Sequence, residues 1–245
     1  MSPRLLLVIP CFRESERLPR FLPGLCETLA AAGWPVAIQV VDDGSGETER
    51  EKLRALVEEM RYRCPLLRPL HAMPHNGGKG VAVYAGWDST DGEEFLAFVD
   101  ADGAVSAEET SRLIGLALEP ENAGRAVLAV RVHGHGRRVR RTFVRAITGS
   151  VFRLLVRFFF ALPVPDTQCG CKIVPAEAYS AIRGGLREFR FCFDVELLAL
   201  LHRRGVPLRP VPIDWEESPG SRVRPATIRE MFLSLLRLRR RLQAE

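Results

Sequence analysis

Short apolar runs alternate with helical periods through the first half of the chain, and that alternation leaves few folds open. Leu5–Ile9, Ile38–Val41, Phe95–Val99 and Ala126–Val130 have the length and texture of buried strands. Between them, Leu18, Phe21, Leu22, Leu25 and Leu29 recur at the spacing of one helix face, and Leu53, Leu56, Val57 and Met60 repeat the pattern. Ser106-Ala-Glu-Glu109 has the form of a capping box opening a helix through Leu118. Strand–helix–strand order predicts an α/β fold, a mostly parallel sheet with helices on both faces. Ligands in such sheets sit outside the carboxyl ends of the strands. With 245 residues, 47% of them hydrophobic, the chain can bury a core without disulfide staples. Its six cysteines show no metal-knuckle spacing and read as small buried hydrophobes.

Carboxylates gather where that fold puts ligands. Val40-Val-Asp-Asp-Gly-Ser45 closes one strand on Asp42 and Asp43, and Phe98-Val-Asp-Ala-Asp-Gly-Ala104 closes another on Asp100 and Asp102. An Asp pair without His or Cys suits a hard cation on a phosphorylated ligand, because Mg²⁺ favours one or two carboxylates plus phosphate oxygens and water. His71-Ala-Met-Pro-His-Asn-Gly-Gly-Lys-Gly80 leads into a helix at Val81–Trp87, and its backbone amides are suited to an anion. It has neither P-loop nor dinucleotide-fingerprint spacing. Lys79 lies in this turn and Lys172 in a second motif, in a chain that writes 32 of its 35 cations as Arg.

The net charge of +5 is a difference between unlike halves. From Asn122 through Pro165 there is no Asp or Glu, while Arg125, Arg131, Arg137, Arg138, Arg140, Arg141, Arg145, Arg153 and Arg157 are all present. The remainder of the chain is therefore net acidic. Guanidinium binds phosphate bidentately and keeps its charge, so this stretch suits a phosphorylated partner. Near the C-terminus, Ile228, Met231, Phe232, Leu235 and Leu236 form an apolar stripe followed by Arg237, Arg239, Arg240 and Arg241. Two readings stand for that helix: it is interfacial, or it packs on the domain with a solvated basic end.

In order along Leu5 to Val223, these pieces resemble glycosyltransferase family 2 with the GT-A fold. Val8-Ile-Pro-Cys-Phe-Arg-Glu14 follows the family opening P-x-Y-N-E, with Phe12 for Tyr and Arg13 for Asn. The match continues through VVDDGS, the Asn76–Gly80 turn and Asp100-Ala-Asp102. Asp166-Thr-Gln-Cys-Gly-Cys-Lys172, Phe193-Asp-Val-Glu-Leu-Leu198 and Trp215-Glu-Glu-Ser-Pro-Gly-Ser221 resemble the dolichyl-phosphate and polyprenyl-phosphate β-glucosyltransferase branch, with the mannose synthases as neighbours. The resemblance implies one catalytic domain over 1–223, donor-binding in 1–120 and acceptor-binding in 121–223, with a basic amphipathic helix over 224–245. It implies that Pro10, Phe12, Glu14 and Asp43 hold the nucleoside of a nucleotide-sugar and that Asp42 supports the turn. Lys79 falls on the donor side. Asp100 and Asp102 would hold Mg²⁺ or Mn²⁺ on the diphosphate. Arg131, Arg141 and Arg145 would hold the acceptor phosphate, with Gln168 and Asp194 beside it. Asp166 is either a base or an orienter. Arg137, Arg138 and Arg140 are expected to meet headgroups or solvent, and Cys171 to stand in a loop facing the acceptor.

The implied reaction is metal-dependent, inverting transfer of a hexose, glucose from UDP-glucose, to a polyprenyl or dolichyl phosphate. GDP-mannose as donor and a soluble hydroxyl as acceptor stay open. A sugar-phosphate nucleotidyltransferase would open on a Gly-rich loop, and the chain opens on Pro10–Glu14 instead. The non-catalytic alternative is a basic module for membrane or nucleic acid, and four acids at strand ends would repel such a ligand. No nucleic-acid partner is expected. The apolar start at Leu5 is too short for a signal peptide, and no run of 18 apolar residues suggests a transmembrane helix. The expected location is cytoplasmic, with peripheral attachment to an anionic membrane surface.

Overall fold

A computed structural model describes residues 3–132, 136–140, 143–190, 192–216 and 225–244, with backbone only for 140, 143–148, 225–229 and 244. The elements in chain order are β1 (Leu5–Cys11), α1 (Leu18–Ala32), β2 (Val36–Asp42), α2 (Glu47–Arg63), β3 (His71–Ala72), α3 (Lys79–Trp87), β4 (Phe95–Val99) and α4 (Ala107–Leu118). They continue with β5 (Ala126–Val130), β6 (Val139–Arg140), α5 (Phe143–Phe160), β7 (Cys171–Pro175), α6 (Ala176–Arg183), α7 (Phe193–Arg203), β8 (Leu208–Pro212), β9 (Trp215–Glu216) and α8 (Pro225–Ala244). Among the described residues the main sheet has seven strands in the order β3-β2-β1-β4-β7-β5-β8. All run parallel except β7, which lies antiparallel between β4 and β5. A parallel two-strand ribbon, β6 with β9, stands apart.

Alternation along β1 shows how the layers form. Leu5, Leu7 and Ile9 join a core with α1, α2 and α4, while Leu6 and Val8 face the opposite core with α3, α6 and α7. All five residues of the first helical stripe are buried on α1. Ser106 Oγ accepts from Glu109 N at 3.2 Å and caps α4, while the Glu109 carboxylate turns to Arg112 and Arg137. The apolar runs expected as strands are strands, buried throughout.

Two expectations change. Cys171 is not in a loop; it opens β7 and is buried in the core. The residues of α8 that seat it are Leu235, Leu238 and Leu242, so the buried face is rotated from the stripe read in sequence, and Phe232 is 40% exposed. Ile228 lies where side chains are not described. The helix packs on the second core beside α5 and α7, and still presents Phe232 and Leu233 to solvent. The helix is therefore seated on the domain along one face, with Phe232 and Leu233 on another. Among the described residues no helix is long and apolar enough to cross a membrane.

Truncating Leu238 to Ala should lower the unfolding free energy by about 2–4 kcal/mol. Phe232→Ser, at a side chain 40% exposed, should lower it by less than Leu238→Ala does. Urea denaturation reads both, and equal small effects would contradict the packing of α8.

Candidate active site

The carboxyl ends of β1, β2 and β4 open into one cavity of about 620 Å³. Pro10, Phe12, Glu14, Asp43, Lys79, Asp100 and Asp102 line one end, and Arg131, Gln168 and Asp194 line it from the second half of the chain. Phe152, Arg153 and Met231, from α5 and α8, extend it away from the sheet. Asp42 does not line it: fully buried, it accepts from Ser45 N at 3.2 Å and faces Arg50 Nε at 3.6 Å, supporting the turn. Arg141 lies outside the described residues, and of Arg145 only the backbone, within α5, is described.

Asp43 organises the donor side. One carboxylate oxygen accepts from Gly77 N at 2.7 Å; the other accepts from Gly78 N and Asn76 Nδ2, each at 2.9 Å. Burial pushes this carboxyl up, and the two amides oppose it. Gly80 N donates to Phe189 O at 2.8 Å. The amides of Gly77, Gly78 and Gly80, which the sequence offers to an anion, are thus committed to the protein, and these glycines serve close approach instead. Lys79 is what the turn delivers to the cavity.

Lys79 Nζ lies 2.6 Å from Asp100 Oδ1 and 4.8 Å from the centre of the Phe98 ring. Burial alone would lower its pKa, but Asp100, Asp194 and Asp102 raise it, so it stays an ammonium. Phe98 pairs across the sheet with Lys172, whose ammonium lies 5.1 Å from the same ring. Lys172 is fully buried, 2.6 Å from Asp194 Oδ1 and 2.8 Å from Cys169 O. Two of the chain's three lysines therefore flank one aromatic ring. A compact ammonium suits this place better than a planar guanidinium.

Asp100 follows β4 directly and Asp102 sits in the turn beyond it, accepting from Ala104 N at 3.1 Å. Burial and the charge of Asp100 both push Asp102 up, so a cation shared between the two carboxylates would relieve them. A Cβ on Gly170, the residue before β7, would lie 2.3 Å from Asp100 Oδ2, so any larger residue there would displace the Asp100 side chain. Hard oxygen donors and this close cradle fit Mg²⁺ or Mn²⁺. Among the described residues no cluster of three His, Cys, Asp or Glu forms a closed metal site. A divalent ion here would take its further ligands from water or phosphate oxygens.

Asp166 is 1% exposed and clamped by Arg131, with Nε at 2.7 Å and Nη2 at 3.0 Å. Arg131 N and Gln168 N donate to it as well, each at 3.1 Å. Burial would raise its pKa, but Arg131 and these amides hold it down to about 2. A carboxylate so bonded orients an arginine and is a poor base at neutral pH. Arg131 in turn stacks over Trp215 at 5.2 Å.

Further residues line the cavity. Arg17, three positions after Glu14, forms a two-point pair with it, one bond at 2.6 Å, and is biased by the charges of Asp102 and Asp100. Its spacing was a usable signal. Arg190 also lines the cavity and has no local signature, while Phe193 and Trp215, which open two of the motifs read in the sequence, line it without a role assigned to them there. Arg13 has a φ of 56°, a left-handed conformation that Asn tolerates and Arg adopts at a cost of about 1 kcal/mol. Arg137, expected to meet headgroups or solvent, pairs with Glu109 at 2.6 Å and Asp214 at 3.1 Å.

A depressed pKa gives stability that is complete above the unfolded value and lost as pH falls through the folded one. Asp166 should therefore contribute about 2 kcal/mol above roughly pH 4, lost toward pH 2. Acid titration of urea midpoints should show a shallower fall for Asp166→Asn. Gly170→Ala should melt close to wild type but displace Asp100, seen as weakened Mn²⁺ binding.

The Glycosyl transferase family 2 profile matches residues 6–183. The dolichyl-phosphate beta-glucosyltransferase of Mus musculus is 32% identical over 231 residues, covering 91% of this chain and 70% of its own length. A Trichomonas vaginalis protein of the same description is 30% identical over 239 residues, covering 94% and 71%. Among solved structures, a mannosyltransferase from Pyrobaculum calidifontis in complex with GDP-Man and Mn2+ superposes with a TM-score of 0.67 at 17% identity, covering 97% of this chain and 65% of that one. Glucosyl-3-phosphoglycerate synthase from Mycobacterium tuberculosis, with Mn2+, UDP and glucosyl-3-phosphoglycerate, gives 0.66 at 16%, covering 96% and 80%. Both likenesses show the GT-A fold. With that fold, paired carboxylates at its strand ends and the profile match over most of its length, the chain belongs to glycosyl transferase family 2 and is a glycosyltransferase.

Proposed function

We propose that this enzyme transfers glucose from UDP-glucose to a polyprenyl or dolichyl phosphate with inversion, using Mg²⁺ or Mn²⁺ on Asp100 and Asp102. The observation that carries the reading is the single cavity joining those carboxylates to a basic and apolar end lined by Phe152, Arg153 and Met231. The relatives described as dolichyl-phosphate beta-glucosyltransferases support the sugar and the acceptor.

The acceptor phosphate oxygen forms the new bond to the anomeric carbon as the bond to the nucleoside diphosphate breaks on the opposite face. A bound divalent ion would neutralise the departing diphosphate. Lys79, an ammonium at the same edge, adds positive charge there. Phe12 and Glu14 lie where a nucleoside would rest. A phosphate monoester, with a second pKa of about 6, is already a nucleophile at neutral pH and needs cations to hold it. Arg131, oriented by Asp166, and Arg153 supply them, with Arg141 and Arg145 as further candidates. Gln168 and Asp194 complete the acceptor side. A hydroxyl acceptor would need a base, and Asp166 at about 2 does not serve as one. On this account Asp166 is an orienter.

Peripheral membrane attachment is supported by side chains that α5 and α8 leave outward. Val151, Leu154 and Phe158 are 54%, 68% and 73% exposed, beside Phe232 and Leu233. Apolar side chains flanked by arginines suit an anionic surface.

Purified protein should move radiolabelled glucose from UDP-glucose to a short polyprenyl phosphate, and EDTA should stop it. Asp102→Asn should lower kcat by about 100-fold or more. Transfer only to soluble sugars, or only hydrolysis, would overturn the lipid acceptor; a preference for GDP-mannose would overturn the donor. Flotation should show binding to anionic vesicles that weakens with salt, and no binding at low salt would overturn the attachment.

A further inference from the structure

The donor turn is gripped from two sides. Asp43 holds the amides of Gly77 and Gly78, and Phe189 O accepts from Gly80 N at 2.8 Å. The second grip is close: a Cβ on Gly78 would lie 2.7 Å from Phe189 O. One on Gly80 would lie 2.7 Å from Phe193 Cβ.

The segment that carries Phe189 is itself fastened from behind. Arg187 N and Glu188 N both donate to Glu196 Oε2, at 2.8 and 2.7 Å. Glu196 lies on α7, fully buried, and its other oxygen pairs with Arg241 of α8. A buried carboxylate without its cation is strongly unfavourable, so the pair fixes the helix to the segment. Two further ties join the same partners. The Glu188 carboxyl bonds the Ser234 hydroxyl, and Cys192 Sγ lies 3.4 Å from Met231 O. Glu196 touches no part of the cavity and has no role in the reaction described above.

We propose that Glu196 is a positioning residue for the donor turn, and that Arg241 makes that position depend on the seating of α8. Nucleotide at one end of the cavity and a docked C-terminal helix at the other then favour each other, because coupling between two binding events is reciprocal. Contacts run continuously from Arg241 through Glu196, the 187–188 backbone and Phe189 to Gly80. This rests on the reading of the Asn76–Gly80 turn as part of a nucleotide-sugar site.

Glu196→Gln isolates the coupling. Its amide oxygen can keep both backbone bonds, while its NH₂ faces Arg241 and breaks the ion pair. Arg241→Met, which strands a buried charge, and the double variant complete a cycle. Calorimetry with UDP and Mn²⁺, and with GDP in parallel, should show affinity reduced about fivefold or more in Glu196→Gln with little change in melting temperature. The double variant should be no worse than the poorer single one. In wild type, nucleotide should slow amide exchange across 231–242; in Glu196→Gln it should not. Equal affinity in wild type and Glu196→Gln, or slowed exchange in both, overturns the coupling and leaves the donor site standing. A wild-type protein that binds neither nucleotide overturns the donor reading, and the coupling with it.

Discussion

A carboxylate withdrawn from water must find a partner, and the carboxyl edge of this sheet is built from that requirement. Asp43 takes three N–H groups from one turn, Asp166 takes Arg131, Asp194 takes Lys172 and Glu196 takes Arg241. Each pairing fixes a different piece of chain: the glycine turn, the β5 end, the β7 lysine and the C-terminal helix. Asp100 and Asp102 differ. They are less enclosed, crowd each other, and share the nearby ammonium of Lys79. They form the part of the edge where a further cation would be most welcome.

The reversed strand β7 brings the two halves of the chain to one site. By running antiparallel between β4 and β5 it sets Lys172 beside Phe98 and brings Gly170 against Asp100. The loop before it carries Asp166 to Arg131. The arginine-rich stretch is divided by the fold: Arg131 and Arg153 line the cavity, whereas Arg137 is spent on Glu109 and Asp214. Counted by charge alone these residues look alike, but their partners separate them.

The first half of the fold was legible because its strands are buried on both faces, so Leu5–Ile9 and Phe95–Val99 read as unbroken apolar runs. The later strands hide their signal. β7 carries Lys172 in its interior, tolerable because Asp194 meets it, and β8 carries two prolines, tolerable at the sheet edge. The paired aspartates and the two unusual lysines were legible from position and residue type. The commitment of the turn amides to Asp43 was not, since nothing between residues 43 and 77 announces that contact. Glu196 and Arg241 lie 45 residues apart, and only the packing of α8 against α7 makes them neighbours.

The proposed reaction depends on Asp100 and Asp102 binding a divalent ion jointly with a nucleoside diphosphate. Calorimetric titration of UDP tests it most directly, with Mn²⁺ present and then removed by EDTA, in wild type and Asp102→Asn. Binding should be tight, require the metal and collapse in the variant. Metal-independent binding of equal strength in both proteins would contradict it.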